Sequence, residues 1–200
     1  MYKSISQNNE NELALIAGSK KTSFIEKKEA LDQIHNSKIL NNLAQSAKDD
    51  WIRFESASKI KSKHLMQKLA DDTNDEGIKL EAALELHDEH QLTEIAMHCD
   101  LIFYGSIAIG HISKKHLLRR IAMQSRFNRL RAEAALKLGE IKLITWLAEN
   151  LNDDWTRYQL AAAINHIQIL NDLAVNSKDN KIRSLASDWL NDLIYHKTLH

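Results

Sequence analysis

The segment "HDEHQLTEIAMHC" (87–99) concentrates the side chains of this chain best suited to hold a metal ion. On a helix, His90, Glu94 and His98 fall at i, i+4 and i+8 on one face, flanked by His87 and Cys99. Imidazoles and a carboxylate at one-turn spacing suit a divalent ion. The competing reading is a surface helix with scattered histidines, and a helix ending near Met97 would turn His98 elsewhere. His64, His90 and His116 also recur at a step of 26 residues. Packed helices lie about 8–10 Å apart, too far for neighbouring imidazoles to share an ion with bonds of about 2.0 Å. They read better as a track of exposed side chains, so neither metal nor cofactor is expected. Cys99, the single cysteine, has no activating neighbour in sequence and reads as a buried thiol. The sequence holds no Gly-rich phosphate loop, no Ser or Cys elbow and no paired zinc-finger cysteines. No catalytic residue is assigned, and the expectation is a protein without enzymatic activity.

The elements that must position these residues form a repeat. Leu43-Ala44, Leu69-Ala70, Ile95-Ala96, Ile121-Ala122, Leu147-Ala148 and Leu173-Ala174 recur every 26 residues without a gap. A second column runs Leu40, Met66, Leu92, Leu118, Ile144, Leu170. Each unit carries two short amphipathic patterns, as in "RLRAEAALKLG" (129–139) followed by "EIKLITWLAENL" (140–151). Helices of about ten residues are marginal alone, but stacked units cover one another's apolar stripes. A column of small residues (Ala30, Ser56/Ala57, Ala82/Ala83, Ala108, Ala134/Ala135, Ala161, Ala186) lets helices approach closely. The sequence holds no proline and five glycines, which fits helices joined by short turns. The expected fold is all-α: a right-handed α-α superhelix, or α-solenoid, of about six 26-residue two-helix repeats. Residues 10–18 and 182–195 would be capping helices, residues 1–9 a loose polar N-terminus, and residues 10–200 one repeat domain.

Within the repeat, Asp49-(x3)-Arg53, Asp75-(x3)-Lys79, Asp153-(x3)-Arg157 and Asp179-(x3)-Arg183 resemble the Asp…Val-Arg signature that opens HEAT-like repeats. The short period and the "LLxxLA" second helix are also similar to leucine-rich-repeat-variant units and to short HEAT-like arrays of bacterial proteins. Leucine-rich-repeat-variant prolines are missing, and one cysteine cannot hold that family's iron–sulfur cluster. The resemblance implies that the Asp and Arg rungs, Arg131 included, form a structural ladder between repeats, with ligand contact the lesser reading. It also implies that the second-helix face is concave and receives partners.

On that face stand His64, His90, His116, Arg119, Arg120 and Trp146. Trp146 reads two ways, as an exposed binding anchor beside arginine or as a side chain laid on its own neighbours. Lys+Arg and Asp+Glu each number 27, so no net field draws the chain to nucleic acid or an anionic membrane. Charge is nonetheless segregated. Residues 71–100 hold ten acidic groups against Lys79 alone, and residues 101–132 hold seven basic groups and no acid. Glu94 and Arg120 share one column a repeat apart and are expected to pair.

"LIFYGSIAIG" (101–110) replaces a first helix whose Asp and Arg rungs are gone: Leu101 stands at the Asp position and Gly105 at the Arg position. Phe103, Tyr104 and Gly105 are expected on a thin outer surface, covered by the chain itself or by a partner or second copy. No apolar run nears the roughly 20 residues needed to cross a bilayer, the start lacks a signal-peptide pattern, and cytoplasmic is the expectation. The leading functional reading is a scaffold for a protein partner. The alternative is nucleic-acid binding through the basic repeats at 111–146, with phosphates met by Lys115, His116, Arg119, Arg120 and Arg126 and bases stacking on Trp146. An enzyme is the third reading.

Overall fold

The computed structural model describes residues 7–198, and among these it contains fourteen helices and no strand. In chain order they are α1 (Gln7–Gly18), α2 (Phe24–Asp32), α3 (Ser37–Ser46), α4 (Asp50–Lys59), α5 (Lys63–Asp72), α6 (Glu76–Leu86) and α7 (Glu89–His98). There follow α8 (Ile102–His111), α9 (Lys115–Gln124), α10 (Asn128–Leu138), α11 (Ile141–Asn150), α12 (Asp154–Ala163), α13 (Ile167–Asn176) and α14 (Asn180–Thr198). The even-numbered helices begin at 24, 50, 76, 102, 128, 154 and 180; the odd-numbered ones from α3 begin at 37, 63, 89, 115, 141 and 167. Both series advance by 26 residues, so the period of the apolar columns is also the period of the helix starts.

Start signals explain that regularity. Asn36, Asp49, Ser62, Asp75, Asp153 and His166 each stand just before a helix, and their side chains accept from its first-turn N–H groups. Ser23 and Glu26 complete a reciprocal capping box on α2. Left-handed residues close four of the first helices of the pairs: Lys61 after α4, His87 after α6, Gly139 after α10 and Asn165 after α12. A lysine repeats a second closing device. Lys59 Nζ donates to the carbonyls of Leu31 and Asp32 at 2.6 and 3.0 Å, and Lys137 Nζ to those of Ile109 and Gly110 at 2.7 and 2.6 Å.

The chain divides into two compact units, one ending at Asp88 and the other beginning at Glu89, where the sequence pattern reads as one domain over 10–200. Within each unit most helices pack on their successors, and repeatedly on the helix two places along: α1 on α3, α2 on α4 and α4 on α6 in the first; α7 on α9, α8 on α10, α10 on α12 and α12 on α14 in the second. The column of small residues is buried throughout, which is what permits these approaches. Leu40, Met66, Leu92, Leu118, Ile144 and Leu170 are buried as well. Helix α1 begins at Gln7, so residues 7–9 of the expected loose stretch are helical, while residues 1–6 lie outside the described range. Burial of the Glu10 carboxylate, which accepts from Asn36 N at 2.8 Å, ties this helix to α3. Among the described residues no helix is long and apolar enough to cross a membrane.

Candidate interaction surface

The exposed side of α7, α9 and α11 in the second unit carries most of the residues singled out by the sequence. His90 and His116 are exposed with ring centroids 6.4 Å apart. Glu94 Oε1 accepts from Arg120 Nη1 at 2.8 Å, the pair expected from their shared column, and Glu94 Oε2 lies 3.6 Å from His98 Nε2. Arg119 binds Glu140, with Nε to Oε2 at 3.2 Å. Arg126 Nη2 meets Asp100 at 2.9 Å, and its guanidinium carbon lies 4.8 Å from the centre of the Phe127 ring. Trp146 on α11 is 42% exposed and Ile141 at the start of that helix 65%. His64 is exposed on α5 of the first unit.

Arg120 therefore claims the carboxylate that a metal would need, and among the described residues no three His, Cys, Asp or Glu side chains are grouped to hold an ion. Glu89 lies beside this face. Its carboxylate accepts from Ser113 Oγ at 2.6 Å and from Lys114 N at 3.1 Å, and so caps α9 from α7. Those bonds, the Ser113 hydroxyl first, hold its pKa below the usual glutamate value.

The 101–110 segment forms α8, and here the structure corrects the sequence reading. Phe103 is 68% exposed and Leu101 56%, whereas Tyr104 is half-buried and Gly105 fully buried. A Cβ at Gly105 would lie 2.3 Å from Leu130 Cδ1 and 3.0 Å from Cys99 Sγ. Gly105 thus faces α10 rather than an outer partner, because α8 and α10 approach too closely for any side chain at that point. Cys99 is buried beside it. At its N-terminal end the outer surface of α8 is formed by Phe103, with Leu101 just before the helix.

The Asp and Arg residues of the expected ladder take different kinds of partner. Asp49, Asp75 and Asp153 cap their own helices, accepting from Trp51 N (3.1 Å), Ile78 N (3.0 Å) and Thr156 N (3.1 Å); Asp179 accepts from Lys181 N at 2.8 Å. Asp49 also takes Lys27 Nζ at 2.5 Å. The arginines reach the next residue instead, Arg53 to Asp50 and Arg157 to Asp154, each at 3.1 Å and at i,i+3. A second carboxylate comes from the following helix: Asp72 at 3.9 Å for Arg53 and Asp172 at 2.8 Å for Arg157. Thr73 and Ser177 hydroxyls then donate to Asp50 and Asp154 at 2.6 and 2.8 Å. Each complete rung is a guanidinium between two carboxylates, locked by a hydroxyl. Arg183 uses the Ser177 carbonyl, at 2.6 Å, and Asn180. Lys79 is half-buried, its backbone N–H bonded to the Asp75 carbonyl at 3.0 Å.

Arg131 differs. Its Nε donates to the Ala122 carbonyl at 3.0 Å, as Arg157 Nε does to Ala148, yet no carboxylate meets its Nη groups among the described residues. Burial alone pushes its pKa down. One repeat earlier than Asp154 and Asp172 stand Asn128 and Trp146, and Asn150 stands three repeats after Asp72. At Gly105 there is no guanidinium to reach the equivalent carbonyl, Ala96 O; Ser125 Oγ takes it at 2.9 Å.

Sequence reasoning missed Asp50, Asp154, Asp172, Ser125, Glu89 and Glu140. The doubled aspartates at 49–50 and 153–154 were the available signal for the first two. No protein-family model, curated protein or solved structure matches the chain.

Proposed function

We propose that both units are stretches of HEAT-like, right-handed α-solenoid, and that the chain is a non-catalytic scaffold binding a protein partner through its second-helix face. Helix starts advancing by 26 residues, with each helix packed on its near neighbours, support the architecture. The observation that carries the function is the make-up of α9 and α11. Outward-facing Trp146 and Ile141 stand among charged groups already paired within the chain. Exposed aromatic and aliphatic side chains inside a polar rim are what a protein interface uses.

The nucleic-acid alternative needs a run of uncommitted cations along 111–146. Arg119, Arg120 and Arg126 are instead each engaged by a carboxylate, leaving Lys114, Lys115, His116, Arg129 and Lys142 as the exposed remainder along that stretch. The test is affinity purification from the native organism with the wild-type chain and Trp146→Ala side by side. The scaffold reading expects a protein captured by the first and lost by the second, with both melting alike. Recovery of RNA or DNA whose retention falls steeply with salt, and of no protein, would replace it by the alternative.

A further inference from the structure

We infer that Arg131 is an open rung, and that an acidic segment of the partner protein closes it by placing a carboxylate where Asp172 meets Arg157, alongside Trp146. This rests on the scaffold reading above and adds the chemistry of the partner. The guanidiniums of Arg53 and Arg157 each lie between two carboxylates of this chain. Three acidic positions supply them, and around Arg131 all three are neutral: Asn128, Trp146 and Asn150. Arg131 keeps the Nε bond to the preceding carbonyl, so its stem is fixed as in Arg157 while the Nη side of the fork faces no acid among the described residues. A planar fork held in this way is preorganised for two-point binding of a carboxylate. Asn150 Nδ2 donates to the Trp146 carbonyl at 2.7 Å, and the 42%-exposed Trp146 offers an apolar wall for the residue beside that carboxylate. A carboxylate is favoured over a phosphate backbone because neighbouring Arg119, Arg120 and Arg126 already meet carboxylates of this chain.

The experiment selects random twelve-residue peptides displayed on phage against the full chain, then measures synthetic versions by fluorescence polarisation. The expected result is enrichment of peptides with Asp or Glu at one fixed position next to an apolar residue. Affinity should fall about tenfold in Arg131→Gln. It should fall about fivefold in Asn128→Asp, which gives Arg131 the i,i+3 carboxylate that Arg53 and Arg157 have; this variant should melt no lower than wild type, so it remains informative if Arg131→Gln fails to fold. Enriched peptides without an acidic position, or acidic peptides bound equally by Asn128→Asp, would overturn the open rung and leave the scaffold reading standing. Binding of a single-stranded 20-mer that weakens in Arg131→Gln, with no peptide family enriched, would overturn both.

Discussion

Helices α8 to α11 and helices α12 to α13 are built on the same 26-residue step, but they order their polar groups differently. In the second region, Asp153 and His166 cap their helices, and Arg157 is held by Asp154 and Asp172. In the first, Leu101, Lys114, Phe127 and Glu140 occupy the four cap positions and none makes a side-chain capping bond. Substitutes come from further away in sequence: Glu89 for the start of α9, Ser125 for the Ala96 carbonyl, and Leu130 packed into the space above Gly105. Where no substitute exists, as at Arg131, a charged group is left open. A repeat can thus keep its apolar step while exchanging local polar order for tertiary contacts, and the exchanged region is where surface chemistry is free to diverge.

Breaking the packed substitute should have the largest effect. Gly105→Arg, which on sequence alone would rebuild the ladder, is expected to destabilise by about 3 kcal/mol or more, because its side chain must displace Leu130. Urea melts give the number, and a variant as stable as wild type would show that α8 and α10 separate readily. Gly105→Ala should lose less, and still less in a Leu130→Val background that removes the Cδ atoms it meets; a double-mutant cycle measures that coupling. Next in size is Arg157→Gln, which strands Asp154 and Asp172. We expect a loss of about 1.5 kcal/mol, moderated because both carboxylates are partly solvated. Ser125→Ala follows at about 1 kcal/mol, from the buried hydroxyl bond to Ala96. If Ser125→Ala instead exceeded Arg157→Gln, the substituted region would be the more rigidly ordered of the two.

The smallest effect is in pH. Bonds from the Asn176 amide, then from Arg157, hold the Asp172 carboxyl below its ordinary value of 3.8. A carboxyl whose native pKa is depressed contributes stability that is present above its unfolded pKa and lost as pH falls through the native one. Wild type should therefore lose stability below about pH 4 more steeply than Asp172→Asn. Coincident acid melts for the two would show that Arg157 gains nothing from this partner.

Several features were legible because they depend on near neighbours in sequence. The small column and the Leu-Ala pairs state themselves in helical spacing, and the structure buries them accordingly, Ile95 and Ala174 only in part. Glu94 and Arg120 were legible too, since one repeat step brings equal positions together. Arg126 and Asp100 stand at the same one-repeat spacing and were open to the same reasoning, whereas Arg119 with Glu140 was not, because that pair joins different columns whose meeting depends on how the helices pack. The buried side of Gly105 was hidden for a related reason: glycine carries no side chain whose polarity would mark a face.

What the sequence determined by itself is the period and the apolar stripes, since burial patterns are set within a turn or two of chain. What only the tertiary structure decided is which carboxylate each arginine meets, and that Gly105 lies under Leu130 while Arg131 stays open. Those outcomes turn on a few ångströms between helices distant in the chain, a distance that interlocking side chains set and helical periodicity does not encode.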